Sequence, residues 1–259
     1  MSIVLTEDRG AVRHVILNRA EKRNAFNDEL VLGLRTVLEA AADDPSVRCV
    51  VLRGAGPVFS SGMDVNFLGS LAADPSRLRT SRRPIIDTWN LLEEMPKPTI
   101  AQIHGACIGG AMELALACDL RVMAGDAMIG LVETRVGLVP DVGGSSRLPA
   151  VVGLGRAKEM IMASKLVDGI EAERIGLVNR VAPADELEET TEQLVSELLA
   201  CAPRAVALAK RLLDSVAKPT LAASLELEVA AQELCARSED FAEGTRAFAE
   251  KRQPEFSGR

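Results

Sequence analysis

Residues 97–119, KPTIAQIHGACIGGAMELALACD, decide how the chain is read. Thr99–Ile103 is a short apolar run following Pro96 and Pro98 and predicts a strand. It leads into a glycine-rich turn, 105–110, and then a short helix over about 111–118. A strand that turns through glycines into a helix leaves the first-turn amides unpaired, at the positive end of the dipole. Such an end receives an oxyanion as readily as a phosphate. Glu113 stands three residues past Gly110, on the same helix face and one turn along. An acid and an anion-stabilising amide would then face one place. The plainer alternative is a first-turn glutamate that only complements the dipole, and the residues alone favour it. Cys107 beside His104 is a weak case for a Cys-His nucleophile. A small buried cysteine at a tight turn and a structural histidine at a strand end are commoner.

Outward from this stretch, Val12–Leu17 and residues 49–52 predict further strands. Between them Leu30, Val31, Leu34, Val37, Leu38 and Ala41 mark an amphipathic helix, capped by Asn27 or Asp28 and stopped by Pro45. A second helix is expected over 84–95, opened by Pro84, with Ile85, Ile86, Trp89 and Leu92 on one face. Strands are expected at 120–123 and 128–132. From about Gly153 helical periodicity takes over: 156–163, 171–175 with Gly176 as its stop, 185–200, 203–215 and 221–235, with one strand at 177–181. The expectation is an α/β core with a helical C-terminal region that must bury its apolar faces on the core or on another subunit.

Two more glycine-bearing turns could carry chemistry. In 53–64, RGAGPVFSSGMD, Gly62 lets the backbone approach a ligand, so that the Met63 N–H points into the space beside it. In 128–147, MIGLVETRVGLVPDVGGSSR, Glu133 stands among Ile129, Leu131, Val132, Val136 and Leu138. A strand there would set its carboxyl into an apolar wall, and desolvation would raise its pKa toward neutrality. The alternative is an ion pair with Arg135. Asp141, in a Pro-Asp-Val-Gly-Gly turn, reads on composition alone as an aspartate bonding its own backbone. GLGRAK at 153–158 lacks the third glycine of a dinucleotide loop, and GGSSR is no nucleophile elbow. Together these features point to acid–base chemistry with an amide-built oxyanion hole.

Composition narrows the classes. The chain has 259 residues, 47% hydrophobic and 26% charged, enough for a sizeable core. Aromatics make up 3%, with Trp89 the single tryptophan and no tyrosine, and the formal charge is −7. Both argue against a stacking platform or phosphate-binding surface for nucleic acid. No apolar run reaches membrane-spanning length, and Glu7, Asp8 and Arg9 interrupt the start too early for a secretory signal. Five scattered cysteines without metal-ligand spacing fit a reducing, cytoplasmic compartment and no metal site.

Five segments resemble the crotonase (enoyl-CoA hydratase/isomerase) superfamily: LNRAEKRNAFN at 17–27, FSSGMD at 59–64, the stretch 97–119, VETRVGLVPDVGGSSRLP at 132–149 and AFAEKRQPEF at 247–256. The resemblance implies a spiral of ββα units with a C-terminal helical region, divided here as 1–200 for the core and 201–259 for oligomerisation, in trimers or dimers of trimers. It implies an acyl-CoA thioester substrate and no separate cofactor. By likeness Met63 and Gly110 supply the two oxyanion amides. Lys22, Arg23, Ala25, Ser61, Asp64, Phe248 and Lys251 fall at the positions that would bind CoA. Glu113 and Glu133 fill the positions of the hydratases' glutamate pair, which adds water across C2–C3. Asp141 departs from ordinary hydratases and is similar to 3,5-2,4-dienoyl-CoA isomerases, where such an acid and Glu133's counterpart move a proton along the acyl chain. Some members of the superfamily act instead by binding acyl-CoA or RNA.

Overall fold

The computed structural model describes residues 2–258. β1 (Val4–Arg9) and β2 (Val12–Leu17) form an antiparallel hairpin around Gly10. Asn27 caps α1 (Asp28–Asp43) by accepting the Leu30 amide, and the helix lays Leu30, Leu34 and Leu38 onto the hairpin's sheet. β3 (Cys49–Gly54) then joins β2 in parallel. Two helices follow, α2 (Val65–Ala73) and α3 (Leu78–Glu94), before β4 (Thr99–Ile103).

Here the chain changes sheets. Gly105, at φ +62°, takes it from β4 into β5 (Ala106–Ile108); a β-carbon there would stand 2.2 Å from the Pro57 carbonyl oxygen. α4 (Gly110–Ala117) follows at once and is buried on every side, as its Gly-Ala-Met-Glu-Leu-Ala-Leu-Ala composition allows. β6 (Leu120–Ala124) returns to the first sheet and β7 (Met128–Gly130) to the second. A 3-10 turn over Glu133–Val136 and α5 (Gly144–Val152) complete that unit. The pattern of strand in one sheet, strand in the other, then helix thus repeats. The Ser60–Cys107 bridge gives β3 the same continuation into the second sheet.

α6 (Leu154–Met162), β8 (Val167–Asp168), α7 (Gly169–Arg174) and β9 (Arg180–Ala182) close the core. The sheets run β1-β2-β3-β4-β6-β9 and β5-β7-β8. Four helices end the chain: α8 (Leu187–Leu199), α9 (Pro203–Ala217), α10 (Leu221–Ala236) and α11 (Glu239–Glu250). α10 and α11 fold back over the core; Leu225 joins the main hydrophobic cluster, and Phe241 a second cluster with Leu71, Leu78 and Leu138.

Three expectations need correction. α3 starts at Leu78, so Pro84 lies inside the helix instead of opening it. Leu78, Arg82, Ile85, Ile86, Trp89 and Leu92 form one buried face across the proline, and that burial outweighs one missing N–H. The strand expected over 128–132 ends at Gly130, which puts Glu133 on a 3-10 turn. The strand expected at 177–181 lies at Arg180–Ala182, because Leu177 and Val178 turn back to bond the Ala172 carbonyl.

Candidate active site

Two amides meet where the first sheet gives way to the second. Gly110 is the first residue of α4, so its N–H has no intrahelical acceptor. The segment before it requires glycine: Gly109 sits at φ 58°, ψ −127°. Gly62, at φ +87°, passes so close to β5 that a β-carbon would lie 2.4 Å from the Ile108 carbonyl oxygen and 3.4 Å from the Gly110 nitrogen. A β-carbon on Gly110 would in turn stand 3.9 Å from the Met63 nitrogen. The neighbours of Met63 are tied down: Phe26 N–H donates to the Gly62 carbonyl, and Asp64 N–H to the Phe26 carbonyl. Among the described residues the Met63 and Gly110 amides themselves have no hydrogen-bond acceptor. Two adjacent, unpaired, rigidly held N–H groups are chemically able to receive one oxyanion between them.

Three carboxyls line a single cavity beside Met63. It is walled by Phe67, Leu68, Leu71, Leu78, Ile85, Leu138 and Val142 and holds Glu113, Glu133 and Asp141. Its free volume is about 50 Å³, room for a few waters. Glu113, 2% exposed, accepts the Val142 and Gly144 amides on Oε1 at 3.0 and 2.8 Å. Glycine is needed at 144, where a β-carbon would press Glu113 Oε1 at 2.8 Å. Glu133 reaches in from its 3-10 turn. Its Oε1 would lie 2.9 Å from a β-carbon at Gly109, and its Oε2 is buried with no partner among the described residues. The ion pair with Arg135 does not form, since that guanidinium donates to the Ser164 carbonyl at 2.8 Å.

Burial sets the electrostatics of the three. It raises Glu113 well above the ordinary carboxyl range, with Glu133 and Asp141 adding to the effect and the Gly144 amide opposing it. Burial, with Asp141 nearby, raises Glu133 to about 7. Burial raises Asp141 to about 7 against the pull of Arg82. Protons are therefore held in the site at neutral pH, and the groups titrate together.

Sequence reasoning missed the groups that hold these acids. Glu228 on α10 accepts the Gly143 amide at 2.9 Å and the Ser146 hydroxyl. Gln232 accepts the Val139 amide at 2.9 Å. Arg147, 1% exposed, pairs with Glu93 at 2.7 Å and reaches the Val142 carbonyl. Arg82 on α3 contacts Asp141 directly. The two candidates for nucleophile chemistry have plain roles. Cys107 is buried and its thiol pushed well up by desolvation, while His104 Nε2 lies 2.9 Å from the Gly56 carbonyl.

The Enoyl-CoA hydratase/isomerase family matches residues 7–259. The chain is 35% identical to the 2,3-dehydroadipyl-CoA hydratase of Escherichia coli K12 over the full length of both. It is 33% identical to the crotonyl-CoA hydratase of Syntrophomonas wolfei, covering 98% of this chain and 96% of that protein. The chain belongs to the enoyl-CoA hydratase/isomerase, or crotonase, superfamily. The fold agrees. An enoyl-CoA hydratase structure from Mycobacterium avium subsp. paratuberculosis K-10 superposes with a TM-score of 0.88 at 30% identity, covering 99% of each chain. One from Bacillus anthracis superposes at 0.80 and 33% identity, over 99% of this chain and all of that one.

In this crotonase the positions expected to bind CoA fall into two groups. Lys22 and Arg23 are exposed on the turn before α1, where Arg23 adopts φ 52°; Ala25 is buried beneath them, and Ser61 is exposed next to Gly62. Every polar group of Asp64 already has a partner: the carboxylate is engaged by Arg19 at 2.6 Å and by the Asn66 amide as cap of α2, its N–H donates to the Phe26 carbonyl and its carbonyl accepts the Leu68 amide, so the CoA contact expected of it is not available in this arrangement. Phe248 and Lys251 lie exposed at the C-terminal end of α11. No helix among the described residues is long and apolar enough to cross a membrane.

Proposed function

We propose that the chain hydrates 2-enoyl-CoA thioesters. The observation that supports this best is the opening of Glu113 and Glu133 onto one cavity that Met63 also lines, next to the unpaired Met63 and Gly110 amides. The thioester oxygen accepts both N–H groups, which draws electron density away from C3. As a water oxygen adds to C3, Glu113 takes its proton, and Glu133, protonated near neutral pH, delivers a proton to C2. Charge building on the thioester oxygen is stabilised where it appears, each amide contributing roughly 10²–10³ in rate. Two relatives named as hydratases over nearly the whole chain lend the same direction.

A specific observation favours a second reading, isomerisation of 3,5-dienoyl-CoA to the 2,4-isomer. Asp141 shares the cavity with Glu133, and both carboxyls sit at about 7. Two buried carboxyls on one cavity, both raised toward neutrality, can take a proton at one point of a bound chain and return one at another. Asp141 takes the proton from one end of the diene system and Glu133 returns one at the other. CoA binds through Lys22, Arg23, Ala25, Ser61, Phe248 and Lys251 in this proposal. The exposed apolar face of α9, with Leu208, Leu212, Leu213 and Val216, meets neighbouring subunits of a homotrimer or dimer of trimers. The test offers purified protein a short 2-enoyl-CoA and a 3,5-dienoyl-CoA. Loss of conjugated absorbance with the first supports hydration, and gain with the second supports isomerisation. Turnover of neither, with a salt-sensitive RNA mobility shift, would transfer the chain to the binding class.

A further inference from the structure

Four carboxyls surround the 141–144 turn, yet the cavity lining has a single cation among the described residues, Arg82. Its side chain is 7% exposed. Nη2 donates to the Asp141 carbonyl and, at 3.3 Å, to the Leu225 carbonyl. Nε lies 3.3 Å from Asp141 Oδ2. One guanidinium thus ties α3, the catalytic turn and α10 together and touches both the backbone and the side chain of a single aspartate. The other groups facing Asp141 all disfavour its charge or leave it unchanged: Glu113 from α4, Glu133 from its 3-10 turn, and Glu228 and Cys235 from α10.

We propose that Arg82 is a positioning residue that aims the Asp141 carboxyl into the acyl cavity and favours its ionised form against the surrounding carboxyls. A guanidinium stays charged at every working pH, so the hold does not titrate away. The other two acids in the cavity have no such partner, and this divides the labour: Asp141 is the member kept ready to accept a proton, and Glu133 the member kept ready to give one. Arg82 thereby sets the balance between hydration, which needs the glutamate pair, and isomerisation, which needs the aspartate. That last step rests on the isomerisation reading given above. The same arrangement argues against substrates whose acyl chain ends in a second carboxylate, because the cation that could receive it is already taken.

The test is a carbon-13 NMR titration of carboxyl-labelled aspartate in the full-length protein, with Asp141 assigned from the Asp141→Asn spectrum. It compares wild type, Arg82→Gln and Arg82→Lys, alongside the pH profile of 3,5-dienoyl-CoA isomerisation. Losing the positive charge in Arg82→Gln should move the Asp141 titration upward by about one unit or more. The ascending limb of the isomerisation profile should move with it, for a loss of roughly tenfold at neutral pH. Arg82→Lys should restore most of both. Circular dichroism checks that Arg82→Gln is folded, and if it is not, Arg82→Lys against wild type carries the comparison through a smaller upward shift. An Asp141 titration identical in every folded variant would overturn the proposal, as would a loss of rate with an unmoved pH profile. A wild type that never isomerises the diene would remove the isomerisation reading, leaving the titration to decide whether Arg82 holds Asp141.

Discussion

Glu133 is a carboxyl buried against apolar walls with one oxygen unpartnered among the described residues, and that placement lets it keep its proton up to near-neutral pH. Glu133→Gln should lower turnover of both 2-enoyl-CoA and 3,5-dienoyl-CoA by about 10²–10⁴, because both reactions use its proton; activity retained with both substrates would remove it from the mechanism. The same residue makes a stability prediction of definite sign. Its folded pKa, about 7, lies above the ordinary 4.5, so the fold favours the protonated form. Stability is undiminished below about pH 4.5 and falls as pH rises through 7. Glu133→Gln should therefore melt a few degrees higher than wild type at pH 8 and at the same temperature at pH 4.5, in paired calorimetric scans. Asp141→Asn should cut isomerisation far more deeply than hydration; an equal loss of both in folded protein would contradict separate roles. That Glu113, Glu133 and Asp141 share one cavity was legible only through the family resemblance of two short stretches, 97–119 and 132–149; on the residues alone Glu113 read as a partner of the helix dipole and Asp141 as a turn aspartate. Arg82 and Glu228 were not. They meet the turn that carries Asp141 from 59 and 85 residues away, and each reads locally as an ordinary polar residue on a helix.

At the scale of elements, the β4-β5-α4 unit positions the Gly110 amide, and Gly109 is the residue that sets this amide next to Glu133. Gly109→Ala would force an alanine to φ 58°, ψ −127° and press its β-carbon onto Glu133 Oε1. A cost of about 1–3 kcal/mol in stability is expected, together with a fall in kcat, measured by denaturant unfolding and steady-state rates. A variant as stable and active as wild type would show that the turn does not constrain the acid. This unit was legible because its signals agree: prolines before the strand, glycines at the turn and an apolar helix after it. Elsewhere the signals conflict. α5 opens on Gly-Ser-Ser and contains Pro149, and α11 is polar and interrupted by Gly244, so tertiary packing decides both. Pro84 looked like a helix start for the same local reason, and seven buried residues spread along both sides of it overrule that signal. β1 escaped notice because four of its six residues are exposed, leaving little apolar alternation to see.

Across the whole molecule, the helical C-terminal region is part of the site. α10 brings Glu228 and Gln232 to the turn at 139–144 that carries Asp141, and α11 packs against the turn that carries Glu133. Truncation after Ala200 should therefore give aggregated or monomeric protein without activity, as read by light scattering and assay; a stable, active, truncated oligomer would refute this dependence. The alternation of strands with helices foretold an α/β core, and the tail's periodicity foretold its helices. Which face of the tail would cover the active site was not legible, since α10 carries apolar residues around most of its circumference. The most direct test of the central claim is the infrared stretch of a thioester carbonyl, isotopically labelled in an unreactive acyl-CoA bound to the protein. Two amide donors from Met63 and Gly110 should lower its frequency below that of the free ligand in water. A tightly bound ligand whose carbonyl stretch is unshifted would contradict the account.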